Sequence, residues 1–193
     1  IGFALPGIIY QDRMTSEYHH LNGEGFLETF RQRYSVPVFF ENLVNAACFG
    51  YYQSHTAPMP ESILYVHFMD NHIPRSAFFC NGKIWRGNHN LAGQIGAKTF
   101  NISWKNDKFN LKQEVFVTTM TSFLAALSAA ICPEKIILSG HPMLDNSILQ
   151  ISQGVSERFE QKPNPSITMT SSFEKDLETG IIEITLAALY SNS

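Results

Sequence analysis

Glu41-Asn42 closes the apolar stretch "VPVFFEN" and opens the helical-looking "LVNAACFGYYQ". A carboxylate and a carboxamide at such a strand-to-helix junction can serve two ends. Asn42 can accept the first N–H groups of the helix as its N-cap. The pair can also reach outward, where an amide donates and accepts and so matches the dual capacity of a ligand hydroxyl. The two readings are compatible, and both stay open here. Gln94, in "NLAGQIGA", offers the same choice between backbone bonding within its loop and contact with a ligand. The residue after the pair is Leu43, so the position next in line holds no proton acceptor.

The remaining chemistry-bearing residues form no set. His19, His20, His55, His67, His72, His89 and His141 lack metal-ligand spacing, and the adjacent His19-His20 reads as exposed loop. Cys48, Cys80 and Cys132 are odd in number, far apart and set among apolar neighbours. They are expected to be three buried, reduced thiols of a cytosolic protein, binding no zinc. Ser139-Gly140-His141 follows an apolar strand as a nucleophile elbow would, but Ile137 and His141 stand where Gly-x-Ser-x-Gly needs glycines. Asn88-His89-Asn90 is a polar cluster beside loop glycines, either lining a pocket or solvated.

The elements that must position these residues alternate. "IGFALPGII" reads as a strand ended by a tight turn at Pro6-Gly7, and 12–25 as polar loop. A helix over 26–34, the strand "VPVFFEN" and a helix over 43–53 follow, a βαβα pattern that favours a sheet covered by helices. "SHTAPMPES" (54–62) holds two prolines and marks a lobe boundary. "ILYVHFMD", "RSAFFC" and "KIWRG" read as strands, the last two joined by the hairpin signal Asn81-Gly82. A long apolar helix over 110–131, a buried strand "KIILSG", an amphipathic helix over 146–161, a strand within 164–172 and a closing helix over 179–191 complete the chain.

The 193 residues are 44% hydrophobic and 16% charged, enough apolar material for a core. A net charge of −3 leaves no electrostatic footprint for nucleic acid. No apolar run approaches the roughly 20 residues of a membrane span. "IGFALPG" lacks a basic n-region and an initiator Met, so it is not a signal peptide, and an internal-looking strand there points to a chain that begins inside a larger protein.

Taken in order, "IGFALPG", "EN" with "NAA" in the next helix, "NGKIWRG", "NLAGQIGA" and "PEKIILSG" resemble the ROK family of repressors, open reading frames and sugar kinases. The likeness runs from about residue 1 to 190. It implies an α/β fold of the two-lobed, actin-like ATPase (ribonuclease H-like) type, N-terminally incomplete because the family's Asp-x-Gly-x-Thr phosphate loop would lie before residue 1. Residues 1–57 would be the rest of the first lobe, 58–178 the second, and 179–193 a helix returning toward the first. Sugar contacts would come from Glu41, Asn42 and Gln94 and from backbone at Gly7 and Gly93.

The sequence departs from the family pattern at three places. Where ROK kinases read Glu-Asn-Asp, with the Asp as general base, this chain has Glu41-Asn42-Leu43, and leucine accepts no proton. Where the family has a Gly-Thr-Gly-x-Gly phosphate turn, it has Asp70-Asn71-His72-Ile73-Pro74, with a repelling carboxylate and a residue lacking N–H. Where the family has Ala-Gly-Glu-x-Gly-His and a cysteine-rich zinc loop, it has Gln94, Ala97 and "KTFNISWKNDKFN". The resemblance therefore implies no catalytic, nucleotide-binding or metal residues and no cofactor. The expected function is a non-catalytic, cytoplasmic sugar-sensing domain, with DNA reached only through an upstream segment. An ATP-dependent sugar kinase and a ligand-free dimerising module are the alternatives.

Overall fold

The computed structural model describes residues 1–23, 25–55, 60–68, 73–95, 112–159 and 164–191. The elements run β1 (Gly2–Leu5), β2 (Ile8–Tyr10), β3 (Arg13–Thr15), α1 (Phe26–Arg33), β4 (Phe39–Asn42), α2 (Leu43–Ser54) and β5 (Ser62–His67). They continue β6 (Arg75–Cys80), β7 (Lys83–Trp85), α3 (Gln113–Ile131), β8 (Lys135–Ser139), α4 (Leu144–Arg158), β9 (Ser166–Met169) and α5 (Phe173–Ser191). Short 3-10 turns lie at His19–Leu21 and Asn88–Asn90. The class is α/β, as the alternating pattern predicts.

A five-stranded mixed sheet in the order β7-β6-β5-β8-β9 forms the larger half. β5, β8 and β9 are parallel, while β6 and β7 run antiparallel as hairpins. Asn81 and Gly82 turn the β6–β7 hairpin with φ of 51° and 79°, the positive values a tight two-residue loop demands. Along β5 the side chains alternate between two cores. Leu64 and Val66 face α3 and α4, packing with Ile136, Leu138, Phe116, Met120 and Phe123. Ile63 and Tyr65 face α2, packing with Val44, Ala47, Tyr51 and Phe79. Successive strand residues point to opposite faces, so helices on both sides require this run to be apolar throughout.

β1 pairs in parallel with β4, from Gly2 opposite Phe39 to Leu5 opposite Asn42, and this register fixes the end of β4 beside the turn at Pro6-Gly7. α2 is buried on two sides. Its second side meets α5 at closely apposed glycines: a Cβ on Gly50 would sit 1.8 Å from the Asp176 carbonyl oxygen, and one on Gly180 would sit 1.8 Å from that of Ala46. Only a missing side chain permits two helix backbones to approach so closely.

Several expectations need correction. Residues 8–15, read as strand end and loop, form the β2–β3 hairpin. The closing helix starts at Phe173 rather than 179: Ser172 accepts the Lys175 N–H at 3.2 Å, and Glu174 and Asp176 sit favourably in its first turn. Of the three thiols only Cys48 is buried; Cys80 is half-buried, and Cys132 is exposed at the end of α3. Burial pushes the Cys48 thiol up, far from reactivity. α3 does have the length and apolarity of a membrane span, 19 residues at mean hydropathy 1.6. In the fold Phe116, Met120, Phe123 and Leu124 of that helix are buried against the sheet.

Candidate functional site

The turn after β1, the stretch after β3, the start of α2, the start of β6 and the loop after β7 converge on a narrow cleft. Pro6, Gly7, Glu17, Tyr18, Asn42, Leu43, Val44, Arg75 and Gln94 line it. Five separate stretches of chain thus contribute, held together by β1–β4 pairing on one side and the β6–β7 hairpin on the other.

Asn42 carries out the capping reading. Its Oδ1 accepts the Val44 and Asn45 N–H groups at 2.9 and 3.2 Å, and its Nδ2 donates to the Gly7 carbonyl at 2.7 Å. That last bond ties the cap to the turn 35 residues earlier. Gly7 cannot carry a side chain, because a Cβ would lie 2.6 Å from the Thr15 carbonyl oxygen. Glu41 is buried and does not face the cleft. Its Oε1 accepts from the Asn42 N–H at 2.8 Å and from Asn45 Nδ2 at 2.9 Å, while Arg86 Nη2 bonds Oε2. Glu41 therefore holds the cap from behind and meets no solvent-borne ligand.

Across the cleft, Gln94 Oε1 accepts from Arg75 Nη1 at 3.1 Å, and Arg75 Nη2 pairs with Glu17 at 2.7 Å. Gly93 lies outside the cleft lining. Its φ is +79°, its carbonyl accepts the Ser76 N–H at 3.1 Å, and a Cβ would meet the Ser76 carbonyl oxygen at 1.9 Å. It presses the loop onto β6 and so sets the position of Gln94. Three of the five expected residues, Gly7, Asn42 and Gln94, come together at the cleft; Glu41 and Gly93 stand behind it. Glu17, Tyr18 and Arg75 are additions. The first two lay in a stretch read as plain loop, and Arg75 gave no signal at the start of an apolar strand.

The polar cluster at 88–90 does not line this cleft. Asn90 Nδ2 donates to the Ile9 carbonyl at 2.5 Å and the His89 ring packs at a tilt against Tyr10, centroids 4.4 Å apart, fastening the loop to β2. At the carboxyl ends of β5 and β8, where open α/β sheets bind ligands, the protein's own rings take the space. His67 lies flat on Phe173, with centroids 3.6 Å apart and planes at 10°. His141 stacks on Phe116 at 4.3 Å and meets Phe68 edge-on. Ser139 Oγ does contact His67 Nδ1 at 2.9 Å, but the serine is 4% exposed, so the pair has no access to a substrate. Burial holds the His67 imidazole down at about 4. Below it, Asp176 accepts from Tyr65 at 2.9 Å and Thr170 at 2.6 Å, and its burial raises the carboxyl above its ordinary range. Among the described residues no group of three or more His, Cys, Asp and Glu is placed to hold a metal. Residues 70–72 of the departing turn and Ala97 lie outside the described residues.

No family model matches the chain, and no curated protein matches it in sequence. Solved structures do match. A ROK family protein from Streptococcus pneumoniae, crystallised with sucrose, aligns over 97% of this chain and 80% of its own at 17% identity and TM-score 0.73. The ROK hexokinase from Thermus thermophilus aligns over 93% of this chain and 78% of its own at 14% identity and TM-score 0.71. A ROK family transcriptional regulator, a homologue of the E. coli MLC protein, aligns over 95% of this chain and 64% of its own at 12% identity and TM-score 0.56. The chain has the actin-like ATPase fold of the ROK sugar kinases, and in that fold it is similar to a ROK regulator as well.

Proposed function

We propose that this chain is a ROK-type sugar-binding domain that does not phosphorylate its ligand and serves as the sensing part of a cytoplasmic transcriptional regulator. In this reading residues 1–57 belong to a first lobe, 58–178 to a second, and 179–193 to a helix returning to the first. The observation that carries it is Leu43, an aliphatic side chain in the cleft lining beside Asn42. A kinase cleft needs a proton acceptor within reach of the attacking hydroxyl. A sensing cleft needs only groups that recognise hydroxyls, and Asn42, Gln94 and the Gly7 backbone are of that kind. The sucrose bound to the pneumococcal neighbour supports a sugar as the ligand class.

A nucleotide, which the kinase neighbours imply, does not fit the residues present. The carboxyl ends of β5 and β8 are filled by His67 on Phe173 and His141 on Phe116. Pro74, in the turn that would face phosphate, has no N–H to offer. Kinase activity is the second reading, favoured by the higher TM-score to the hexokinase than to the regulator.

Two measurements separate these readings. An ADP-release assay with ATP, magnesium and a hexose panel should give no turnover, because losing a general base costs about 10²–10⁴-fold. A rate on the order of 1 per second would establish the kinase instead. Leu43→Asp alone should restore nothing. Calorimetric or NMR titration with hexoses, amino sugars and their phosphates should give weak binding. Asn42→Ser, which keeps a capping oxygen but lacks the amide, should abolish it. If no sugar binds below about 10 mM, the dimerising module becomes the better reading.

A further inference from the structure

A second, more apolar space lies on the opposite face of the β6–β7 hairpin. It is an open depression of about 190 Å³ between Leu64, Phe78, Trp85 and Ile95 on the sheet side and Leu127 and Ile131 at the end of α3. Among the described residues α3 covers β5 and β8 and leaves β6 and β7 open, and Phe78 is only partly buried and Trp85 is 53% exposed. The two rings meet edge to face at 6.0 Å and form an aromatic wall. Among the described residues, Ser76 and Gln94 supply the polar side chains of the lining. The apolar lining with a few polar groups is the pattern of a small-molecule subsite.

Gln94 lines this pocket and the polar cleft alike. The two spaces meet around the start of β6, where neighbouring residues point to opposite faces: Arg75 into the cleft, Ser76 into the pocket. The Gln94 Oε1 is held by Arg75, and the side chain stands between the two.

We propose that the apolar pocket takes the aglycone of a glycoside whose sugar ring occupies the polar cleft, so that the ligand is an aryl- or alkyl-substituted sugar rather than a free one. This rests on the sugar reading above and narrows its ligand class. A bare hexose leaves the pocket empty, whereas a ring or short chain at the anomeric carbon covers Trp85 and Leu127. The cleft supplies hydroxyl recognition and the pocket supplies affinity by apolar burial.

The test uses the full chain and paired probes: the methyl and phenyl glycosides of glucose, mannose and galactose, in both anomers, titrated by calorimetry. At least one phenyl glycoside should bind about tenfold or more tightly than its methyl counterpart, about 1.4 kcal/mol, and should change tryptophan fluorescence. Trp85→Ala, a substitution at the surface that leaves both cores intact, should remove that advantage and leave the methyl glycoside's affinity unchanged. Methyl glycosides that bind with no phenyl gain in any pair would overturn the extension and leave the sugar reading standing. A gain that survives Trp85→Ala would overturn the pocket assignment. Absence of binding by every glycoside would overturn both.

Discussion

Asn42 commits both lone pairs of Oδ1 and one hydrogen of Nδ2 to the protein, so a single N–H is left for a ligand. Weak affinity follows, and so does a fixed direction, because a cap bonded at three points cannot rotate. Removing the side chain altogether mixes two effects: Asn42→Ala should also cost about 1 kcal/mol of stability through the lost cap, visible as a lower urea midpoint. The residue-scale property that the sequence hides best belongs to His67. Seven histidines with no spacing give no reason to single it out, and its burial comes from Phe173, far along the chain. Loss of hydration holds its imidazole down at about 4 against an ordinary 6.5, with Glu174 acting in the opposite sense. A depressed value means that the unfolded chain binds the proton more readily. The stabilising contribution is therefore complete above pH 6.5 and drains away as pH falls toward 4, at up to about 1.4 kcal/mol per pH unit. Urea midpoints measured from pH 7 to 4.5 should fall less steeply in His67→Gln than in the parent chain; parallel slopes would assign the acid sensitivity elsewhere.

At the scale of elements the decisive contact is the crossing of α2 and α5. A methyl at Gly180 meets backbone oxygen rather than a side chain that can turn aside, so Gly180→Ala must push the helices apart. Forced overpacking of this kind costs about 1–3 kcal/mol or more, to be read from chemical denaturation with Gly154→Ala as the comparison, where the nearest atoms belong to the Thr121 side chain. Helix and strand identities were largely legible, since period-two runs and apolar helical spacing reflect burial that neighbouring residues share. The Asn81-Gly82 hairpin was legible because its backbone needs those two residues. The β2–β3 hairpin was not: its turn uses Gln11 and Asp12 at φ of 47° and 61°, and neither residue announces that conformation as Asn-Gly does. The first turn and a half of α5 was missed because Glu174, Lys175 and Glu178 are charged and only the later residues show the small and apolar pattern. Of the cleft, Asn42 was readable as cap and contact together. Arg75 and Glu17 were not, since their pairing joins segments 58 residues apart and leaves no local trace.

The two cores of the whole molecule are not separable units. β5 sends alternate side chains into each, and Ile137 of β8 lies in one core between Ile136 and Leu138 of the other. Loss of either core strips one face of the same strands, so thermal unfolding followed by far-ultraviolet circular dichroism and by tryptophan fluorescence should give coincident midpoints. Separate transitions would show that the halves can melt independently. The glycine crossing also has a bearing on how the molecule is made. Gly50 and Gly180 are 130 residues apart, and at 5–20 residues per second a ribosome needs roughly ten seconds to synthesise that interval. Through that interval the Ala46–Gly50 side of α2 waits for its partner, because α5 is made only at its end. The nascent chain therefore carries a half-finished core between the synthesis of α2 and that of α5, and completion of α5 is the event that closes it.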